Sequence, residues 1–286
     1  MKKSALARVF MVALGALFVY PLFVTFVSSF MSEAEISMNY TNQVSIFDLV
    51  RNITVNYINM ALIPKEFTLA QYKSVLFLQP TFLLLLWNSV KITAPVVIGQ
   101  ALVSLLAAYG FTVWKWKFKD AIFSVYVLVM LMPLQAVIVP NYIVADMLGI
   151  KDSYLAIVLP GIFAPFGVFL LRQSMKSIHE AYFEAARMDG AGHAYIFLHV
   201  VAPQMKSGIA ALTMLTFIEY WNLVDQAVVF IKDYFREPLS VYLSRIASDN
   251  IGVIFAASCV YLFFPLWLLI AGQENLEIGI ELSGVK

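Results

Sequence analysis

Residues 181–203 read "AYFEAARMDGAGHAYIFLHVVAP". The stretch is polar, rich in helix formers at its start and broken by Gly190 and Gly192, in a chain whose residues are 61% hydrophobic. It lies between two apolar runs. What it is for therefore depends on where those runs begin and end.

The chain has 286 residues, 13% of them charged, and a mean hydropathy of +0.82. Soluble domains carry about 25% charged residues, so the balance points to a chain that crosses a membrane several times. A net charge of +1 argues against nucleic acid as a partner. The single cysteine, Cys259, and the scattered His179, His193 and His199 make neither a disulfide framework nor a metal-ligand set.

The charges bound six runs: Arg8 to Glu33; Thr81 to Phe111, interrupted by Lys91; Asp120 to Asp146; Asp152 to Arg172; Ser207 to Ile231, carrying Glu219 and Asp225; and Asp249 to Glu274. Each exceeds the roughly 18 residues of a membrane-spanning helix. Within lipid only a helix satisfies its own backbone in such a run. The sequence thus predicts an all-α membrane protein with six transmembrane helices. The first run is longer than the apolar part of a signal peptide and reads as a retained helix. Residues 1–30 are the tail and first helix, 31–80 an external loop with short helical pieces such as "TLAQYKSVLF", and 81–273 a five-helix core. Within the core lies the loop 174–206, and 274–286 form a C-terminal tail.

Lys and Arg set the orientation. With the N-terminus cytoplasmic, the inside segments hold the dense "WKWKFK" (114–119), Arg172, Lys176, Arg187 and Lys206. Fewer basic residues, spread over longer loops, fall outside. Six spans place both termini inside.

On this topology the opening stretch is cytoplasmic. Ala181 to Met188 favour a helix. Gly190 and Gly192 permit positive φ and a sharp turn. A second short helix over 193–200 is limited by Pro203. Ala185 and Ala186 offer a smooth patch for another protein. The competing reading is an amphipathic loop resting on lipid headgroups.

Glu184-Ala185-Ala186, then Gly190, then an apolar stretch ending at Pro203, resembles the "EAA" loop of ABC importer permeases. The family pattern has Leu where this chain has Ala202. Further stretches are similar to the carbohydrate branch, of maltose type: "FTLAQY" (67–72), "WNSVKIT" (87–93), "MPLQAVIVPNY" (132–142), "LPGIFAPFGVFLLRQ" (159–173), "PLSVYL" (238–243) and "GIELSGVK" (279–286). The resemblance covers nearly the whole chain. It implies a type-1 importer permease (MetI-like) fold in a bacterial inner membrane and a non-enzymatic subunit importing a sugar or oligosaccharide. It also implies four kinds of partner: a second homologous permease, two ATPase subunits, an extracytoplasmic sugar-binding protein and membrane lipid. Glu184, Ala185, Ala186, Asp189, Gly190 and Pro203 would couple to the ATPase, and Gly279, Ser283 and Gly284 in the tail would touch it. The chain has no G-x-x-x-x-G-K-[ST] loop. It needs no cofactor of its own, ATP and Mg being held by the ATPase subunits.

Thr216, Glu219, Asn222 and Asp225 recur every three to four residues and share a helix face. Glu219 would sit roughly 18 Å deep at the helical rise, and Lys91 at a similar depth, within reach of pairing with Glu219 or Asp225. Two readings stand: a polar seam between helices, or the wall of a translocation pathway. Pro133 and Pro140 predict kinks in the third run, with Gln135 and Asn141 near the freed carbonyls. The tail, with Gly279, Ser283 and Gly284, suits an extended segment. The alternatives are a permease of the same fold for amino acids, peptides or polyamines and, from another class, an intramembrane enzyme or a channel. No Ser–Lys or His–Glu pair at helical spacing within the runs supports an enzyme.

Overall fold

The structure is a computed structural model that describes residues 2–41, 62–245 and 251–283. Among these residues there are helices and no strands. In chain order the helices are α1 (Lys2–Ser28), α2 (Glu33–Ile36), α3 (Ala70–Lys73), α4 (Pro80–Val113), α5 (Lys119–Met130), α6 (Leu134–Met147), α7 (Leu155–Ile162), α8 (Pro165–Met175), α9 (Glu180–Met188), α10 (His193–Tyr195), α11 (Ala202–Gln204), α12 (Lys206–Trp221), α13 (Asp225–Phe230), α14 (Leu239–Arg245) and α15 (Ile251–Ser283). Wider π-type turns cover Ser37–Thr41, Ser74–Leu78 and Ile196–Val201.

Four segments among the described residues are long and apolar enough to cross a membrane: Arg8–Ser28, Pro80–Val113, Leu155–Met175 and Ile251–Glu277. The pair Lys119–Met130 and Leu134–Met147 makes a fifth if taken as one broken span, bent by 102° at the break. The sixth expected span is not continuous. α12 has 16 residues and ends at Trp221, and α13 restarts at Asp225. Asn222 stops the helix, where its side-chain Nδ2 and its backbone N–H both turn back to the carbonyl of Ile218, at 2.9 and 3.2 Å. The break in the third run falls before Pro133, whose φ of −66° and ψ of 145° make it the extended residue that opens α6. A proline disfavours helical geometry at the residue before it, so Met132 is where the chain turns. Pro140, by contrast, lies inside α6.

The chain divides into two units: residues 1–84 with 242–264, and 85–241 with 265–286. In the first, the end of α1 is tied to the segment that follows it. Ser28 Oγ lies 2.8 Å from Tyr40 Oη, and Ser29 Oγ lies 2.7 Å from Tyr72 Oη. Phe30 stacks on Phe67, and both carboxylate oxygens of Glu35 accept from the N–H of Lys65. A Cβ at Gly252, at the start of α15, would meet Gln71 Nε2 at 2.5 Å, so that glycine permits close packing on the short helix.

The second unit has two apolar cores strung along α4. Ile92 and Val96 join Ala156, Ile157, Tyr220, Phe230 and Val241 in one. About two to five turns further on, Leu105, Ala108, Tyr109 and Val113 join Leu171, Met175, Phe183, Ile196, Val201 and Met205 in the other. Helices approach closely at small residues, as is usual where apolar helices pack without a hydrophobic drive from lipid. A Cβ at Gly167 on α8 would overlap Ser104 Oγ on α4, and one at Gly161 on α7 would lie 2.6 Å from Tyr220 Oη.

Candidate loop interface and membrane-depth polar residues

The 174–206 loop is built on α9. Its sequence "EAYFEAARM" is made of good helix formers, with Glu180 in the first turn and Arg187 in the last, each favourable to the helix dipole. The helix ends in a Schellman turn. Gly190 has φ +79°, its N–H donates to Arg187 O at 3.0 Å, and the next N–H, from Ala191, donates to Ala186 O at 2.9 Å. The positive φ expected at Gly190 is therefore present. Gly192 differs from expectation: its φ is −73° and ψ 165°, an extended residue preceding α10. One left-handed residue completes the turn, and a second is not needed.

Pro203 also departs from its expected role. The chain stays helical through the wide turn Ile196–Val201 and into α11, with Pro203 in the first turn of that helix. There its missing N–H would have had no intrahelical partner anyway, so it does not stop the path.

The loop has two faces. Phe183, Ile196 and Val201 are buried in the core shared with α4 and α8, and Ala186 packs partly against it. Burying Phe183 alone is worth roughly 1.5–3 kcal/mol. Glu184, Ala185, Asp189, Gly190 and Pro203 are exposed on the outer side. The structure thus brings Glu184, Ala185, Asp189 and Gly190 together on a short helix and its turn, and anchors them from behind. Tyr109 Oη lies 3.1 Å from His193 Nδ1, and Trp114 Nε1 donates to the same nitrogen at 3.2 Å. Arg172 closes this end of the bundle. Its Nη2 meets Asp120 Oδ1 at 2.9 Å, its Nε donates to Phe111 O, and its guanidinium lies 3.8 Å from the centre of the Phe123 ring.

The polar residues expected at membrane depth separate. Thr216 is buried and its Oγ1 donates to Gln100 Oε1 at 2.7 Å, linking α12 to α4. Glu219, Asn222 and Asp225 are exposed on the outside of this chain. Gln135 is exposed on α6. Lys91 is exposed, 3.5 Å from Asn88 Oδ1 and over the ring of Tyr154. Among the described residues no ion pair joins it to Glu219 or Asp225, so the pairing that similar depths allowed is not formed. The tail is helical, α15 running to Ser283, rather than extended. Gly279 and Ser283 lie on that helix, and Gly284 lies outside the described residues.

Sequence reasoning missed the buried polar stripe of α4. Ser89, Thr93, Gln100 and Ser104 are all buried. Their spacing of four, seven and four residues was a readable sign of one helix face. It also missed the clamp at the other end of α4. Asn88 Nδ2 donates to the carbonyls of Phe235 and Glu237, at 2.8 and 3.1 Å, and Ser89 Oγ accepts from the N–H of Leu239 at 2.9 Å. These partners are about 150 residues away, and no local pattern announces them.

Residues 100–272 match the family described as binding-protein-dependent transport system inner membrane component. The chain is 30% identical over 213 residues to the lactose transport system permease protein LacG of Rhizobium radiobacter, covering 73% of this chain and 78% of that one. It is 33% identical over 141 residues to the sn-glycerol-3-phosphate transport system permease protein UgpE of Yersinia enterocolitica, covering 49% and 50%. Its fold is similar, with a TM-score of 0.77, 21% identity and 95% of each chain covered, to a chain in the crystal structure of a bacterial ABC transporter involved in the import of the acidic polysaccharide alginate. The chain belongs to the family of binding-protein-dependent transport system inner membrane components, a family of transport permeases.

Proposed function

We propose that the chain is one permease subunit of an ATP-driven importer for a sugar or oligosaccharide. It pairs with a second, different permease, with two copies of an ATPase that hold ATP and Mg, and with an extracytoplasmic sugar-binding protein. Both termini face the cytoplasm, 31–80 lie outside, 81–273 form the transport core and 174–206 the coupling loop. The single observation behind this reading is the two-faced loop. Phe183, Ile196 and Val201 fasten it to the helices while Glu184, Ala185, Asp189 and Gly190 stay exposed. Force applied at the exposed face is delivered to α4, α8 and α12 through that packed core. Pro203 fits as the residue that opens the return helix. Gly279, Ser283 and Gly284 in the tail are proposed to reach the ATPase from α15.

The substrate class is supported by the longer match, to the relative named for lactose, and by the carbohydrate-type stretches along the chain. The relative named for sn-glycerol-3-phosphate matches over only 49% of the chain. Thr216, paired with Gln100, belongs to a seam between helices. Lys91, Gln135, Glu219, Asn222 and Asp225, being exposed, are the candidates for facing the second permease or the pathway. The test is purification of the tagged chain from its native membrane, with uptake of labelled oligosaccharides in a deletion strain. The reading expects an ATPase subunit and a second permease to copurify and uptake of one sugar class to be lost. Isolation of the chain alone, with all sugar uptake intact, would overturn it.

A further inference from the structure

A cavity of about 930 Å³ opens where α4 ends, lined by Gly110, Trp114, Lys115, Trp116, Arg187 and His193 among others, with no carboxylate in its lining. A neighbouring cavity of about 600 Å³ shares Lys115 and Arg187 and adds Lys119 and Lys176, with Glu180 its one acidic side chain. The nearby carboxylate of Asp120 is engaged by Arg172. An apolar row leads to the first cavity along α4: Ile98, Leu102 and Leu106, at 61%, 60% and 58% exposure, one turn apart. The next position in the row is Gly110, where an added Cβ would meet nothing within 4 Å, and Trp114 follows just past the end of the helix.

We propose that this groove and cavity bind an anionic phospholipid. The acyl chain lies along Ile98, Leu102 and Leu106, passes over Gly110, and sets its phosphate between Lys115 and Arg187. Trp114 and Trp116 are the residue type that sits at headgroup level. Basic pockets at the ends of membrane helices take anionic headgroups, each Lys or Arg worth about 1 kcal/mol. Large aliphatic side chains in a row suit acyl chains, whereas contacts between membrane helices favour small residues. The site requires only that the end of α4 lie at a membrane–water interface, whichever side that is. It is independent of which substrate is carried.

The test uses the purified importer complex, equilibrated with an equal mixture of phosphatidylglycerol and phosphatidylcholine, with retained lipid counted by native mass spectrometry. The wild type should retain phosphatidylglycerol in preference. Lys115→Gln should lower that preference about fivefold, one charge's worth. Gly110→Leu, which fills open space in a helix without removing charge, should lower retention of both lipids. Equal retention of the two lipids by the wild type, or no change in either variant, would overturn the proposal. So would displacement of the lipid by inorganic phosphate, which would mark a soluble-anion site. Crosslinking of Leu102→Cys to the second permease would also overturn it, because a protein would then cover the row.

Discussion

Tyr109 and His193 tie the membrane helix α4 to the start of α10, with Tyr109 Oη 3.1 Å from His193 Nδ1 and 3.3 Å from the His193 carbonyl. Trp114 Nε1–H can only donate, so His193 Nδ1 is an acceptor and the ring proton sits on Nε2. With that lone pair taken, the single hydroxyl proton of Tyr109 goes to the His193 carbonyl. Twenty residues earlier on the same helix, Asn88 and Ser89 hold the backbone of the 235–239 segment. One helix thus carries the anchors of the 174–206 loop at one end and those of the loop between α13 and α14 at the other.

Tyr109→Phe keeps the ring in the apolar core and removes only the hydroxyl. The lost hydrogen bond is worth about 1 kcal/mol, enough to loosen the anchor about fivefold. Substrate-stimulated ATP hydrolysis by the reconstituted complex should fall by up to that factor, with membrane insertion and thermal stability little changed. Unchanged stimulation would show that the Tyr109–His193 contact does not transmit.

The two glycines of the turn should respond in opposite ways. Gly190, at φ +79°, cannot take a β-branched side chain without a cost of roughly 1–2 kcal/mol. Gly192, at φ −73° with open space around it, can take alanine freely. Gly190→Val should therefore cut stimulated ATP hydrolysis severalfold, and Gly192→Ala should leave it near wild type. Equal effects of the two substitutions, measured in the same reconstituted complex, would contradict this assignment of the turn.

Gln100 and Thr216 should behave as a structural pair. A double-mutant cycle with Gln100→Ala and Thr216→Val should give a coupling of about 0.6 kcal/mol, the average for such bonds between membrane helices. The KM for sugar uptake should not move. A changed KM without coupling would place Thr216 on the pathway instead of in the seam.

How much of this was legible in the sequence varies from residue to residue. The left-handed turn at Gly190 was readable because few other residues take that conformation. Its outer face was readable only in part: Ala185 is exposed beside Glu184 and Asp189, but Ala186, expected with it on the docking patch, turns toward the core because it lies next to Phe183 on the inner side of the helix. Pro203 misled because a proline reads as a stop. The preceding wide turn, Ile196–Val201, resets the register and leaves it in the first turn of a new helix. Hydropathy over Ser207–Ile231 predicted one span, but hydropathy is blind to Asn222 capping its own helix. Glycines in the tail suggested an extended chain, yet α15 continues through Gly279 because isolated glycines cost a helix only about 1 kcal/mol each. Contacts across great sequence distance, such as Asn88 with Phe235 or Thr216 with Gln100, depend on the packed helices and have no local signature.

The central claim is that the exposed face of α9 docks on an ATPase subunit. The most direct measurement is cysteine crosslinking from Ala185→Cys in a background where the chain's own thiol, Cys259, is replaced by serine. In the assembled importer the Ala185→Cys variant should form a crosslink to the ATPase subunit, with a yield that changes when ATP is added. A cysteine at the buried Phe183 should form none. An Ala185→Cys variant that crosslinks to no ATPase subunit in an intact, hydrolysing complex would contradict the account.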